Sequence, residues 1–235
     1  MSAARLAELE RALAVLRRRI GDSARAAGRD PAEVTLVAVS KTWPASDVLL
    51  AHQLGVADFA ENYEREAAGK AAALAAAGCR PQWHFVGQLQ RNKCRSLATY
   101  ADLVHSLDRP EVARALGAAA TRAGRVVGGL VQVAYAPAPG RGGVSPERAA
   151  DLADEIAGTP GLELRGVMTV ATPDRPARPD FAALHALAER LRQRHPGALV
   201  ISAGMTGDLE DAVAEGATHL RVGTALFGVR PPPVG

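Results

Sequence analysis

Read from its amino terminus, the chain first shows a helical rhythm of apolar positions. Leu6, Leu9, Leu13, Leu16 and Ile20 recur at steps of three and four, while Arg11, Arg17, Arg18 and Arg19 supply a charged surface. That spacing predicts an amphipathic helix with one stripe turned to a core. A basic helix of this kind can lie on a membrane, but packing on its own domain is the commoner use. Gly28, Asp30 and Pro31 end the segment. The period then changes. Val34, Leu36, Val37, Ala38 and Val39 form a short apolar run bounded by turn signals, which predicts a strand buried on both faces.

Helix and strand patterns alternate from there. Helices are predicted over Pro44 to Leu54, Glu64 to Ala77, Leu89 to Thr99 and Pro110 to Ala123, and again over Pro146 to Ala157, Phe181 to Arg194 and Leu209 to Ala214. Between them fall strands over Asp58 to Glu61, Trp83 to Val86, Leu103 to His105, Gly129 to Tyr135, Leu164 to Val170, Leu199 to Ser202 and His219 to Val222. Eight strands, each separated from the next by a helix, point to a single (β/α)8 TIM barrel with an extra N-terminal helix, residues 1–235 forming one domain. An open doubly wound sheet also alternates, yet no GxGxxG turn follows the first strand. The Pro- and Gly-rich pieces Pro137 to Gly143 and Pro173 to Pro179 follow the fifth and sixth strands, and suit loops on the face where barrel active sites lie.

The strand ends on that face carry the candidate chemistry. The first gives Lys41, the second Asn62 and Tyr63, the third His84 with Gly87. The seventh gives Ser202, Gly204, Met205 and Thr206, and the eighth Arg221, Gly223 and Thr224. A lysine at the end of a buried strand loses several kcal/mol when its ammonium is stripped of water, so such a site favours the neutral amine that attacks carbonyls. The plainer reading is that Lys41 reaches out to solvent. His84 alone fits a satisfied core histidine as well as a catalyst, and Asn62 alone fits a turn. The stretches SAGMTG (202–207) and GT (223–224) are small and hydroxyl-bearing. They stand where barrels hold a phosphate on backbone N–H groups, though a generic glycine-rich turn reads the same way. An amine-bearing strand beside a phosphate cradle suits a phosphorylated aldehyde, of which pyridoxal phosphate is the obvious one.

Composition sharpens the lysine argument. Of the 28 basic residues only Lys41, Lys70 and Lys93 are lysines. In so arginine-biased a chain, a position kept as lysine suggests a need for an amine, because a guanidinium cannot be deprotonated to act as a nucleophile. Lys70 falls on a helix face expected to be solvated. A net charge of +3 with acidic residues scattered among the basic ones, and an aromatic content of 4%, argue against a nucleic-acid surface. Cys79 and Cys94 show no metal spacing and read as reduced thiols. No signal peptide or long apolar run appears, so the expectation is a soluble, cytoplasmic monomer with no metal and no membrane partner.

Five motifs, AVSKT (38–42), ENY (61–63), WHFVGQLQRNK (83–93), GVMTV (166–170) and SAGMTGDLEDAVAEGATHLRVGTALFG (202–228), together resemble the pyridoxal phosphate homeostasis proteins. The likeness runs from about Leu6 to Phe227. It implies a barrel similar to the N-terminal domain of alanine racemase, which binds pyridoxal 5'-phosphate and helps balance cellular vitamin B6. It implies Lys41 as the internal aldimine and Ser202, Thr206, Gly223 and Thr224 as phosphate contacts, with Gly204 and Met205 in the same loop. Arg221 would face the pyridine nitrogen, Asn62 and His84 would line the ring's surroundings, and Lys93 would have a secondary cofactor contact or a transfer role. Apoenzymes that receive the cofactor are the implied partners. Two departures stand out: GMT (204–206) replaces the family's usual GMS, keeping a hydroxyl, and APAPGRGGV (136–144) carries Arg141 where the family has lysine.

An arginine opposite the pyridine nitrogen leaves it unprotonated and the ring a weak electron sink. Racemisation tolerates that but needs an acid–base group on each face, and this chain ends just after the barrel pattern. The first expectation is therefore a cofactor carrier without robust turnover. An amino-acid racemase is the alternative, and a class I aldolase using a cofactor-free lysine Schiff base the third.

Overall fold

The computed structural model describes residues 3–136, 140 and 142–229. Pro137–Pro139 and Arg141, in the loop that departs from the family pattern, lie outside the described residues.

Eight parallel strands close in strict chain order. They are β1 (Thr35–Val39), β2 (Asp58–Glu61), β3 (Gln82–Phe85), β4 (Leu103–Leu107), β5 (Val127–Val133), β6 (Leu162–Thr169), β7 (Val200–Ser202) and β8 (His219–Val222). Closure is made by β1 on β8, where Leu36 is paired with Leu220 and Val37 with Arg221. The barrel expected from the alternation is the barrel observed. Helices α1 (Ala3–Ala26), α2 (Ala45–Gln53), α3 (Glu64–Ala76), α4 (Cys94–Leu97), α5 (Pro110–Arg122), α6 (Ala149–Gly158), α7 (Arg178–Arg194), α8 (Leu209–Ala214) and α9 (Thr224–Phe227) surround it. The helix predicted over Leu89 to Thr99 shrinks to a 3-10 turn, Arg91–Lys93, followed by the single turn of α4. Short α9 went unseen because TALF is too brief to show a period.

The first helix behaves as its stripe requires. Leu9, Leu13, Leu16, Ile20 and Ala24 are all buried in the main core, and the helix packs chiefly against α2, α8 and α9. Its Arg5 does more than solvate a face. The guanidinium lies 4.7 Å over the Trp43 ring, pairs with Asp47 at 2.7 Å and donates to the Phe227 carbonyl at 2.9 Å. Trp43 stacks on Phe227 in turn, with centroids 6.1 Å apart. One arginine thus ties the loop after β1 to the turn after β8.

Alternation along each strand sends one set of side chains outward to the helices and the other into the barrel. Leu103, Leu130, Met168 and Val200 form an apolar cluster of their own, separate from the main core. Other inward positions hold polar groups, among them His84, His105, Ser202 and Arg221, all buried. Polar side chains buried inside a barrel need hydrogen-bond partners.

Candidate functional site

The carboxyl ends of the strands open on a cavity of about 440 Å³. Of the residues singled out in the sequence, Lys41, Asn62, Met205, Thr206, Arg221, Gly223 and Thr224 line it. They come from the ends of β1, β2, β7 and β8, brought together only by barrel closure. Val39, Thr42, Trp43, Met168, Val170 and Gly207 complete much of the wall and were missed. Lining positions of this kind carry no chemical signature, although Thr42 and Trp43 adjoin Lys41 and Met168 and Val170 belong to the GVMTV motif.

Three expected residues stand elsewhere. Gly204, at φ +87°, turns the chain below the rim, where a Cβ would come within 2.5 Å of the Ala212 Cβ. Ser202 and His84 lie beneath the cavity floor and join a hydrogen-bonded chain. Arg221 Nη1 donates to Ser202 Oγ at 2.6 Å, and Ser202 Oγ is 2.9 Å from His105 Nδ1. His105 Nε2 is 2.8 Å from His84 Nδ1, and His84 Nε2 is 3.0 Å from Asp58 Oδ1. A guanidinium only donates and an ionised carboxylate only accepts. One assignment therefore fits with both imidazoles neutral: Ser202 donates to His105, His105 to His84, and His84 to Asp58. Burial, with His84, Arg221 and His219 adding to it, holds His105 far below the usual histidine range. Burial likewise brings His219 down to about 4. The phosphate role expected for Ser202 thus meets a hydroxyl already engaged by Arg221 and His105.

Arg221 is the top of this chain. Its Nη2 also donates to the Thr169 carbonyl at 2.7 Å. Burial holds it down to about 10, with Asp208 pulling the other way, so it is charged at neutral pH.

The two lysine expectations change places. Lys41 is exposed at the cavity wall, because the strand stops at Val39 and the chain turns outward. Lys70, expected on a solvated face, is the buried one, 5% exposed. It was misread because an alanine-rich helix shows no clear apolar stripe. Its ammonium meets the Ser40 carbonyl at 2.6 Å, Glu61 Oε1 at 2.6 Å and Glu66 Oε1 at 2.8 Å. Lys93 lies away from the cavity, 3.6 Å from Glu64, on a neighbouring cleft that it shares with Asn62 and Gln90. Among the described residues, no group of three His, Cys, Asp or Glu side chains is placed to hold a metal ion, and no helix is long and apolar enough to cross a membrane.

Comparison with known proteins decides the family. The family model "Alanine racemase, N-terminal domain" matches residues 12–231. A "Pyridoxal phosphate homeostasis protein" of Pseudomonas aeruginosa is 42% identical over 212 residues, covering 90% of this chain and 91% of that protein. The chain belongs to the pyridoxal phosphate homeostasis protein family. The Escherichia coli K12 member is 35% identical, covering 93% of this chain and 95% of its own length. Among solved structures, PipY of Synechococcus elongatus with PLP bound superposes with a TM-score of 0.82 at 32% identity, over 94% of this chain and 100% of that one. Alanine racemase of Corynebacterium glutamicum, at 15% identity and a TM-score of 0.70 over 95% of this chain and 61% of that one, shares the fold.

Proposed function

We propose that the cavity at the carboxyl ends of the strands binds pyridoxal 5'-phosphate, with Lys41 holding its aldehyde carbon as a Schiff base, in a protein of vitamin B6 homeostasis that keeps and releases the cofactor. The observation that carries this reading is the convergence of Lys41, Arg221 and the β7 and β8 loops on one cavity. The PLP-bound PipY relative supports it.

The residues present fit the group. Thr206, Gly207, Gly223 and Thr224 offer hydroxyls and small backbone positions for a phosphate. Gly223 carries that role well because a Cβ there would press on the Val39 carbonyl at 3.1 Å. Asn62 and Met205, on the cavity wall, would stand beside the ring, and Arg221, its guanidinium fixed by Ser202 and Thr169, would be the partner of the ring nitrogen. Bound there, the group supplies an electrophilic aldehyde on a conjugated ring able to draw electrons. Arg221 offers that ring nitrogen no proton-accepting partner that would keep it protonated, which weakens the draw. Lys41 and Arg221 are the only titratable side chains among the described residues that line the cavity. A racemase needs a second acid–base group, so this wall favours a carrier over the racemase alternative. The apoenzymes that would take up the cofactor are part of the same proposal.

The test is borohydride reduction of the yellow protein followed by peptide mass mapping. The pyridoxyl group should sit on Lys41, and Lys41→Ala should lose the reducible band. Labelling confined to Lys70 or Lys93 overturns the assignment.

A further inference from the structure

We propose that Lys70, Glu61 and Glu66 form a positioning cluster that presets the turn carrying Lys41 for attack on an aldehyde. The inference rests on the reading of Lys41 just given and concerns residues outside the cavity wall.

The cluster grips the chain on both sides of Lys41 and leaves Lys41 itself free. On the near side, Lys70 Nζ donates to the Ser40 carbonyl and Ser40 Oγ donates to Glu61 Oε1, both at 2.6 Å. On the far side, the Thr42 N–H donates to Glu66 Oε1. The two grips share one ammonium, since Lys70 pairs with both carboxylates. Its three N–H donors meet three acceptors, so it offers no lone pair to a carbonyl. Lys41 differs in being exposed beside the cavity.

The held geometry is one the chain would not adopt alone. Thr42 sits at φ +71°, a left-handed conformation that is an outlier for a β-branched residue. Glu66 accepts from the very amide whose residue is strained, and Lys70 fixes the preceding peptide plane. Released from these bonds, Thr42 would relax toward an extended conformation and swing the Lys41 side chain. Glu61 has no other evident reason to be there. It is wholly buried, and its Oε2 finds no partner among the described residues. Burying that carboxylate costs desolvation, which its bonds to Lys70 and Ser40 offset.

The step served is simple. The Nζ lone pair of the neutral Lys41 amine forms a bond to the aldehyde carbon, and the two amine hydrogens pass as protons to the carbonyl oxygen. The C–O bond breaks as C=N forms, and that oxygen departs as water; no oxidant or reductant enters. Orientation of the amine sets its rate, and misplacement by an ångström is costly in such steps.

The experiment compares wild-type protein with two variants, checked for folding by thermal unfolding. Glu66→Ala removes the acceptor of the Thr42 N–H from a partly exposed side chain and is the variant least prone to misfold. Lys70→Met with Glu61→Gln removes the amine and one carboxylate together. Stopped-flow mixing with pyridoxal 5'-phosphate reads Schiff-base formation, and pyridoxine 5'-phosphate, which lacks the aldehyde, reads non-covalent binding. Both variants should form the Schiff base at least about tenfold more slowly while binding pyridoxine 5'-phosphate as the wild type does. A purely structural role would weaken both readouts together and overturn the proposal, as would an unchanged rate in folded variants. Labelling of a lysine other than Lys41 in the wild type would instead sink the underlying reading, and this inference with it.

Discussion

Arg221 stands where the barrel's polar interior meets its cavity, and its neighbours explain how a buried guanidinium is tolerated. Ser202 and Thr169 take two of its nitrogens, and the chain through His105 and His84 ends on Asp58. Breaking that chain in the middle orphans partners on both sides. His105→Leu should destabilise the protein by roughly 1–3 kcal/mol, the cost of buried polar groups left unpaired. Urea unfolding measures it, and an unchanged midpoint would mean the ring contributes nothing to the link. Arg221→Glu tests the electronic argument. A carboxylate there would keep a facing pyridine nitrogen protonated and strengthen the electron draw. The loaded variant, if it still binds, should exchange the α-proton of L-alanine in deuterated water faster than the wild type. The wild type should exchange slowly and yield little D-isomer; rapid racemisation by wild type alone would make this protein an enzyme.

At the scale of elements, the N-terminal helix braces the loops beside the site as well as covering the core. Arg5 reaches Trp43, Asp47 and Phe227 at once, linking α1 and α2 to the two loops that bracket the cavity. Arg5→Ala should cost about 1–3 kcal/mol from the lost cation–π contact and charge-assisted bonds. It should also loosen pyridoxine 5'-phosphate binding, because Trp43 lines the cavity. Calorimetric titration of the variant checks the second effect; undiminished affinity would confine Arg5 to a packing role. The β7–α8 turn makes a different demand. Gly204→Ala meets both a left-handed backbone and the Ala212 Cβ, so it should destabilise by roughly 1–3 kcal/mol, read as a lower melting temperature.

The molecule as a whole keeps neutral histidines in its interior, and this fixes the sign of its response to acid. His219, held to about 4 chiefly by burial, faces His84, Asp58 and Arg165, and His105 is held lower than the usual range by the same cause. An unfolded histidine takes up a proton near 6.5. Between that pH and about 4 the unfolded chain binds more protons than the folded one, so stability is full above about 6.5 and falls as the pH drops toward 4. Glu61 runs the opposite way, since burial raises its carboxyl and its contribution is lost as pH rises through the folded value. The buried histidines add to the acid limb in the same direction as carboxylates held low by their partners, such as Asp154 and Glu210. His219→Gln should flatten the decline of melting temperature between pH 6.5 and 4 relative to wild type; a parallel decline would remove His219 from that account.

What the sequence determined by itself is what local pattern and composition encode. The period of Leu6 to Ile20, the apolar run before Lys41 and the regular alternation of strands and helices lead to a barrel, because burial of one face or stripe is a local demand on residue order. Chemistry stacked at strand ends is legible for the same reason, and it places Lys41, Asn62, Thr206, Arg221, Gly223 and Thr224 near one another. Only the tertiary structure decided which of those side chains look upward and which look down. Ser202 and Arg221 both point into the barrel, yet a hydroxyl at the end of a short side chain stays below the floor while a guanidinium reaches the cavity. It also decided which lysine is buried. An alanine-rich helix carries no stripe to reveal its inner face, so the burial of Lys70 against Glu61 and the Ser40 carbonyl follows from where β1, β2 and α3 meet. Closure of the sheet sets that meeting place, and residues 21 and 30 positions apart give no sign of it along the chain.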